Sequence, residues 1–221
     1  MNKIVFLPVL GLILLISCAG GMGKMVFNPI EMPWVNQTPF TVINHKNSAA
    51  GREMPDWVGV YIDGGIGRIE ALDAYEGSYA FIARNEGNNL TAMNHWLEGF
   101  STELDFPRLA AARMEARFFS AAPLPDQEYG AYYEALVRTA ADFPWTGAVR
   151  RDDFWIYKNY LPTEDEGERQ AWEFMILLTV GKSVFHRQAE EVFNNVKPAA
   201  RPTRDQMNAV NRVRERFFEG F

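Results

Sequence analysis

The chain has 221 residues, of which 48 % are hydrophobic and 14 % aromatic, with 22 basic and 28 acidic side chains giving a formal net charge of −6. An acidic surface repels phosphate, which disfavours nucleic acid and anionic lipid headgroups as partners. The apolar content suffices for one substantial core and a single domain.

The chain opens MNKIVFLPVLGLILLISC, in which Lys3 supplies a short basic region and Ile4 to Ile16 an apolar run interrupted by Pro8 and Gly11. That run is shorter than the ~20 residues a helix needs to cross a ~30 Å hydrocarbon core, so it reads as the apolar part of a signal peptide. Leu15-Ile16-Ser17-Cys18 resembles the lipobox of bacterial lipoproteins, where the cysteine receives diacylglycerol and becomes the new N-terminus. Cys18 is the only cysteine, and an exported chain has little use for one unpaired thiol. Cleavage before Cys18 removes Lys3 and no acid, leaving the mature chain one charge more negative. A multiply acylated cysteine is a firm membrane anchor, since each buried CH₂ contributes roughly 0.8 kcal/mol. Ala19 at the next position resembles lipoproteins sent to the outer membrane. The expected division is a leader over 1–17, a lipidated tether over 18–52 and one domain over 53–221.

The tether holds glycines, prolines and asparagines without a sustained period. Glu31-Met32-Pro33-Trp34-Val35 and Glu53-Met54-Pro55-Asp56-Trp57-Val58 nearly repeat one another. Trp57 to Ile62 and Ser78 to Arg84 are short β-branched or aromatic runs bounded by Gly64-Gly65 and Glu86-Gly87, which predicts paired strands. Asn88 to Phe100 leaves helix and extended readings open, with Asn89 suited to an N-cap. A helix is predicted from Asp105 as N-cap to Ala121, with Leu109, Ala112, Arg113, Ala116 and Phe119 at helical spacing. A second is predicted from Asp126 to Asp142, stopped by Phe143-Pro144.

Ala148 to Leu161 reads as a long strand, and Glu164 to Glu168 as an acidic turn. Ala171 to Val180 is apolar on both faces and belongs in the middle of a sheet. Helices are then predicted from Ser183 to Val196, with Phe185, Ala189, Val192 and Phe193 inward, and over 203–219 on Met207, Val210, Val213, Phe217 and Phe218. The class is α+β, a small, mostly antiparallel sheet packed by several helices.

Three features are similar to the LPP20-like bacterial envelope lipoproteins: Pro55-Asp56-Trp57-Val58 opening the domain, the alanine-rich LAAARMEAR from Leu109 to Arg117, and FWIYKNYL (Phe154 to Leu161) followed by FMILLTVGKSVFHRQAEEVF (Phe174 to Phe193). Departures are the insertion of Asn88 to Thr102 and the long Asp126 to Pro144 segment. The resemblance implies a strand running directly into a helix and a structural or binding role, and it brings no catalytic residues or cofactor.

The residues themselves offer few reactive constellations. His45, His95 and His186 are isolated, so no metal site is expected. Gly64-Gly65-Ile66-Gly67 fits a hairpin better than an anion cradle, and Gly181-Lys182-Ser183 fits a helix cap. Glu98, Glu103, Asp105, Asp152 and Asp153 are the candidates for the paired carboxylates of a glycan hydrolase. Trp145, Phe154, Trp155, Tyr157 and Tyr160 cluster where a helix ends and a strand begins, and rigid amphipathic rings anchor protein partners. The leading expectation is a lipid-anchored, non-catalytic domain binding a protein partner or its own copies through Trp145, Trp155, Tyr157 and Tyr160. The alternatives are a cell-wall hydrolase and a carrier of a hydrophobic ligand.

Overall fold

The computed structural model describes residues 39–121, 130–162, 167–197 and 203–219. The expected leader over 1–17, Cys18, the expected tether as far as residue 38, the expected helix start at Asp126 and the Glu164 to Glu166 part of the expected acidic turn lie outside the described residues.

Among the described residues four strands, β1 (Phe40–His45), β2 (Ser78–Gly87), β3 (Val149–Tyr160) and β4 (Arg169–Gly181), form one sheet of order β1-β3-β4-β2 with every neighbouring pair antiparallel. Among the described residues seven α-helices pack around it: α1 (Asp56–Gly64), α2 (Ile66–Ile69), α3 (Leu90–Gly99), α4 (Thr102–Ala121), α5 (Gly130–Asp142), α6 (Lys182–Asn195) and α7 (Arg204–Glu219). The architecture is α+β. No helix among the described residues is long and apolar enough to cross a membrane.

Alternate residues of a strand point to opposite faces, so the sheet separates two cores. On one face Tyr79, Phe81, Ile176, Leu178 and Val180 meet α4 to α7, through residues such as Phe106, Met114, Leu136, Phe185 and Phe217. On the other, Ile82, Phe154, Ile156, Met175 and Leu177 are covered by Trp57, Val58 and Tyr61 of α1 and Ile69 of α2. The apolar run of β4 therefore serves both cores, and Met175 to Leu178 are each 0 % exposed. Its position inside the sheet follows, because only an interior strand is screened from water on both faces.

Several expectations are corrected. Trp57 to Ile62 is helical, not a strand: Trp57, Val58 and Tyr61 are buried on one side of α1. Every residue of that run except Gly59 is apolar, so it carries no period of its own, and Pro55-Asp56 at the N-terminus favours a helix start. Gly64-Gly65-Ile66-Gly67 is consequently a break between α1 and α2 rather than a hairpin, with Gly65 at φ 74° and ψ −170°. Part of the span expected as a tether over 18–52 belongs to the sheet, since Phe40–His45 pairs with β3 from Phe40 opposite Tyr160 to His45 opposite Ile156.

Asn89 does cap α3, its Oδ1 accepting from the Ala92 amide at 3.1 Å. Asp105 does not begin α4. Ser101 stands before it, its Oγ accepting from the Leu104 amide at 3.4 Å while the Asp105 carboxylate accepts from the Ser101 amide at 2.9 Å. This reciprocal arrangement satisfies amide groups that a helix start leaves open. The buried side of α4 runs through Phe106, Ala110, Met114, Phe118 and Ala121, displaced from the predicted Leu109, Ala112 and Ala116. Alanine on several sides of the helix leaves its inward face to the partner's shape. In α7 Val210, Val213 and Phe217 are buried as expected, whereas Met207 is 41 % exposed.

Candidate functional site

The aromatic residues singled out in the sequence separate into three places. Trp145 is 4 % exposed, stacks on Phe185 with centroids 5.1 Å apart, and donates its indole N–H to the Ala140 carbonyl at 2.8 Å. It closes the helical core after α5 and is no surface anchor. Tyr160 is 7 % exposed and faces the opposite side of β3 from Trp155 and Tyr157, an odd number of residues away. Trp155 and Tyr157 remain partly exposed on the face that the helical layer leaves open towards β1.

Pairing of β3 with β4 sets Trp155 opposite Phe174 and Tyr157 opposite Trp172. Trp172 and Tyr157 stack at 4.3 Å, and Trp155 meets Trp172 edge-on at 4.9 Å. A row of three partly exposed rings, with the buried Phe174 beside Trp155 on the same face, thus spans two interior strands. Polar groups fix its rim: the Tyr157 hydroxyl donates to Gln170 at 2.9 Å, and the Asn159 amide donates to Glu168 at 2.6 Å. Next to it, on β1, Ile43 is 48 % exposed. Trp172 was missed in the sequence because only strand register shows that it belongs with Tyr157.

Behind the row, on the opposite face, lies an ionic cluster centred on Lys158. Lys158 Nζ stands 2.6 Å from Glu86 and 2.8 Å from Glu173, with its side chain 3 % exposed and that of Glu173 6 %. Arg84 approaches Glu173 at 3.3 Å, Arg169 approaches Glu86 at 3.0 Å, and the Tyr160 hydroxyl donates to Glu86. The Phe40 and Tyr160 rings each lie 4.7 Å from the ammonium. Burial alone would lower the Lys158 pKa, but Glu173 and Glu86 outweigh it and hold the ammonium charged above its ordinary range. Partial burial works to raise the Glu86 carboxyl, and hydrogen bonds from Lys158, Tyr160 and Arg169 bring it below the usual carboxylate value. A lysine so fully charged and enclosed makes a poor nucleophile or base. It acts as a positioning group that ties β1, β2, β3 and β4 together.

The candidate carboxylates are engaged separately. Asp152 accepts the Trp57 indole N–H at 2.9 Å, and Asp153 pairs with Lys46 at 2.6 Å and with Arg150 at 3.0 Å. Asp105 takes part in the α4 cap, Glu98 is exposed beside His95 on α3, and Glu103 is exposed at the start of α4. His45 lies in β1 against Phe154, with ring centroids 5.9 Å apart. His186 Nε2 is hydrogen-bonded to the Tyr79 hydroxyl at 2.6 Å, and burial pushes that hydroxyl up to about 12. Among the described residues no group of His, Cys, Asp and Glu is arranged to hold a metal ion. Gly181 stands at the N-cap of α6.

Protein-family models, curated proteins and solved structures were each compared with the chain, and none matches.

Proposed function

We propose that this chain is a lipid-anchored protein of the bacterial envelope, acylated on Cys18, whose α+β domain docks a protein partner on its aromatic sheet face. The observation that carries the reading is the row of Trp155, Tyr157 and Trp172, partly exposed on one face of β3 and β4. Large rings on a rigid sheet lose little conformational entropy on binding, which favours them as anchors. The lipobox-like Leu15-Ile16-Ser17-Cys18 and the resemblance to LPP20-like lipoproteins support the location.

The test is crosslinking in intact cells of the native host, combined with mass analysis of the purified chain. Tyr157→Ser with Trp172→Ser is expected to reduce the crosslinked species at least tenfold while the protein stays on the membrane. Cys18→Ala is expected to remove the fatty-acid mass and release the protein from membranes. Unchanged crosslinks in the double variant refute the docking face, and membrane retention by an unlipidated Cys18→Ala chain refutes the anchor.

A further inference from the structure

Two stretches of the chain are built almost alike, Glu31-Met32-Pro33-Trp34-Val35 and Glu53-Met54-Pro55-Asp56-Trp57-Val58. The fold shows what the second one does. Trp57 and Val58, 3 % and 0 % exposed, pack with Phe154 and Ile156 of β3, and Met54 packs against the same cluster. Trp155 and Tyr157 alternate with Phe154 and Ile156 along β3, so they point to the other face. One short segment of β3 is therefore covered by a Trp-Val pair on one side and carries the partly exposed row with Trp172 on the other.

The first stretch ends within reach of that row. The Pro39 carbonyl accepts from the Leu161 amide at 2.9 Å, and Phe40 stands opposite Tyr160, so the chain enters β1 beside the end of β3. At ~3.3 Å per residue and ~4.8 Å between strands, Tyr157 lies about 14 Å and Trp172 about 16 Å from Pro39. The steps from Pro39 back to Trp34 span at most about 17 Å, before the length of the indole is added.

Composition names this segment as the occupant. Between Met25 and Thr38 the only charged residue is Glu31, while Val26, Phe27, Ile30, Met32, Trp34 and Val35 are apolar. A linker that stays in water is typically polar, and apolar side chains gain by leaving it. Thr41, Asn44, Asn159 and Gln170, which border the row, are uncharged and receive such a segment without desolvating an ion. A segment held by a few residues also has an effective concentration of the order of millimolar, which populates even a weak contact.

We propose that Trp34-Val35 folds back onto Trp155, Tyr157 and Trp172, the counterpart of Trp57-Val58 on the opposite face, and that a partner displaces it on docking. Lacking an equivalent of Asp56, where α1 begins, the first stretch seats as an extended segment. The contact stands on its own, whereas its role as a competitor rests on the partner-docking reading above.

The full lipidated chain in detergent tests the contact. Amide exchange over residues 34–38 is expected to be at least tenfold slower than in Trp34→Ser, and Tyr157→Ser with Trp172→Ser to lose the same protection. Asn36→Cys with Gln170→Cys is expected to form a disulfide on oxidation, and added Trp34→Ser to slow it at least tenfold. Exchange unprotected in the parent, protection indifferent to the ring changes, which assigns the segment to the lipid surface, or a disulfide rate indifferent to Trp34→Ser each overturn the proposal. Should Tyr157→Ser with Trp172→Ser disturb folding, the Trp34→Ser comparisons decide, because they alter the tether alone. In intact cells Trp34→Ser is expected to raise partner crosslinks severalfold, and crosslinks that do not rise overturn the competitor role. Crosslinks indifferent to Tyr157→Ser with Trp172→Ser, beside protection that needs Trp34, remove the docking face and leave the tether contact. Crosslinks lost in that double variant without any protection in the parent do the reverse.

Discussion

Lys158 illustrates how one side chain joins separate strands. Its ammonium is enclosed by Glu86 from β2, Glu173 from β4 and the Phe40 ring from β1. Removing one member of a buried ion pair leaves the other charge desolvated and uncompensated, at a cost of roughly 3–5 kcal/mol. Lys158→Met is therefore expected to lower stability by about that amount in denaturant titration. Adding Glu173→Leu is expected to recover a large part of the loss, and a Lys158→Met chain as stable as the parent would show that the cluster contributes nothing. The lysine was visible in FWIYKNYL, but its partners were not, because Glu86 and Glu173 reach it only through strand pairing.

The segment from Asp56 to Ile69 shows the limit of reading an element locally. A short, almost wholly apolar stretch matches a buried strand and a buried helix alike, and Trp57 to Ile62 follows the second. The break after it depends on Gly65, whose φ of 74° with ψ of −170° is a conformation that side chains avoid. Gly65→Ala is expected to destabilise the domain by about 1–3 kcal/mol. Gly67→Ala, at an exposed position in α2 where a Cβ meets nothing within 4 Å, is expected to be neutral or slightly stabilising. Equal effects of the two substitutions on the denaturation midpoint would contradict the assigned backbone. By contrast, the Asn89 cap and the helix after Gly181 were legible, because a capping side chain and a long amphipathic stripe are local signals.

The whole molecule has a definite expected response to pH. Burial holds His186 below the ordinary histidine value of 6.5; Glu190 opposes the shift, while Lys182 and Arg113 reinforce it. Its contribution is complete above that value and is lost as pH falls through it towards the folded pKa. Burial works to raise both Glu86 and Asp153, but hydrogen bonds from Lys158, Tyr160 and Arg169 to the first, and from Lys46 and Arg150 to the second, hold them below 4.5 and 3.8 respectively. Their contributions vanish at still lower pH. Tyr79, Tyr132, Tyr133 and Tyr160 are raised above 10.0, chiefly by burial, so their contributions are complete below that value and disappear as pH rises through it. Melting temperatures are expected to form a plateau between about pH 7 and 9 and to fall on either side. His186→Gln is expected to flatten the decline just below pH 6.5, and an unaltered decline would remove His186 from this account.

The amino-acid sequence by itself determined the α+β class, the interior position of β4 and the course of the last two helices. Each is written in periodicity, composition or capping within a short window. Tertiary structure alone decided that Trp145 and Tyr160 turn inward, that Trp172 joins Trp155 and Tyr157, and that β1 belongs to the sheet. Those outcomes depend on register between strands far apart in the chain, and a shift of one residue would send every side chain of a strand to the opposite face.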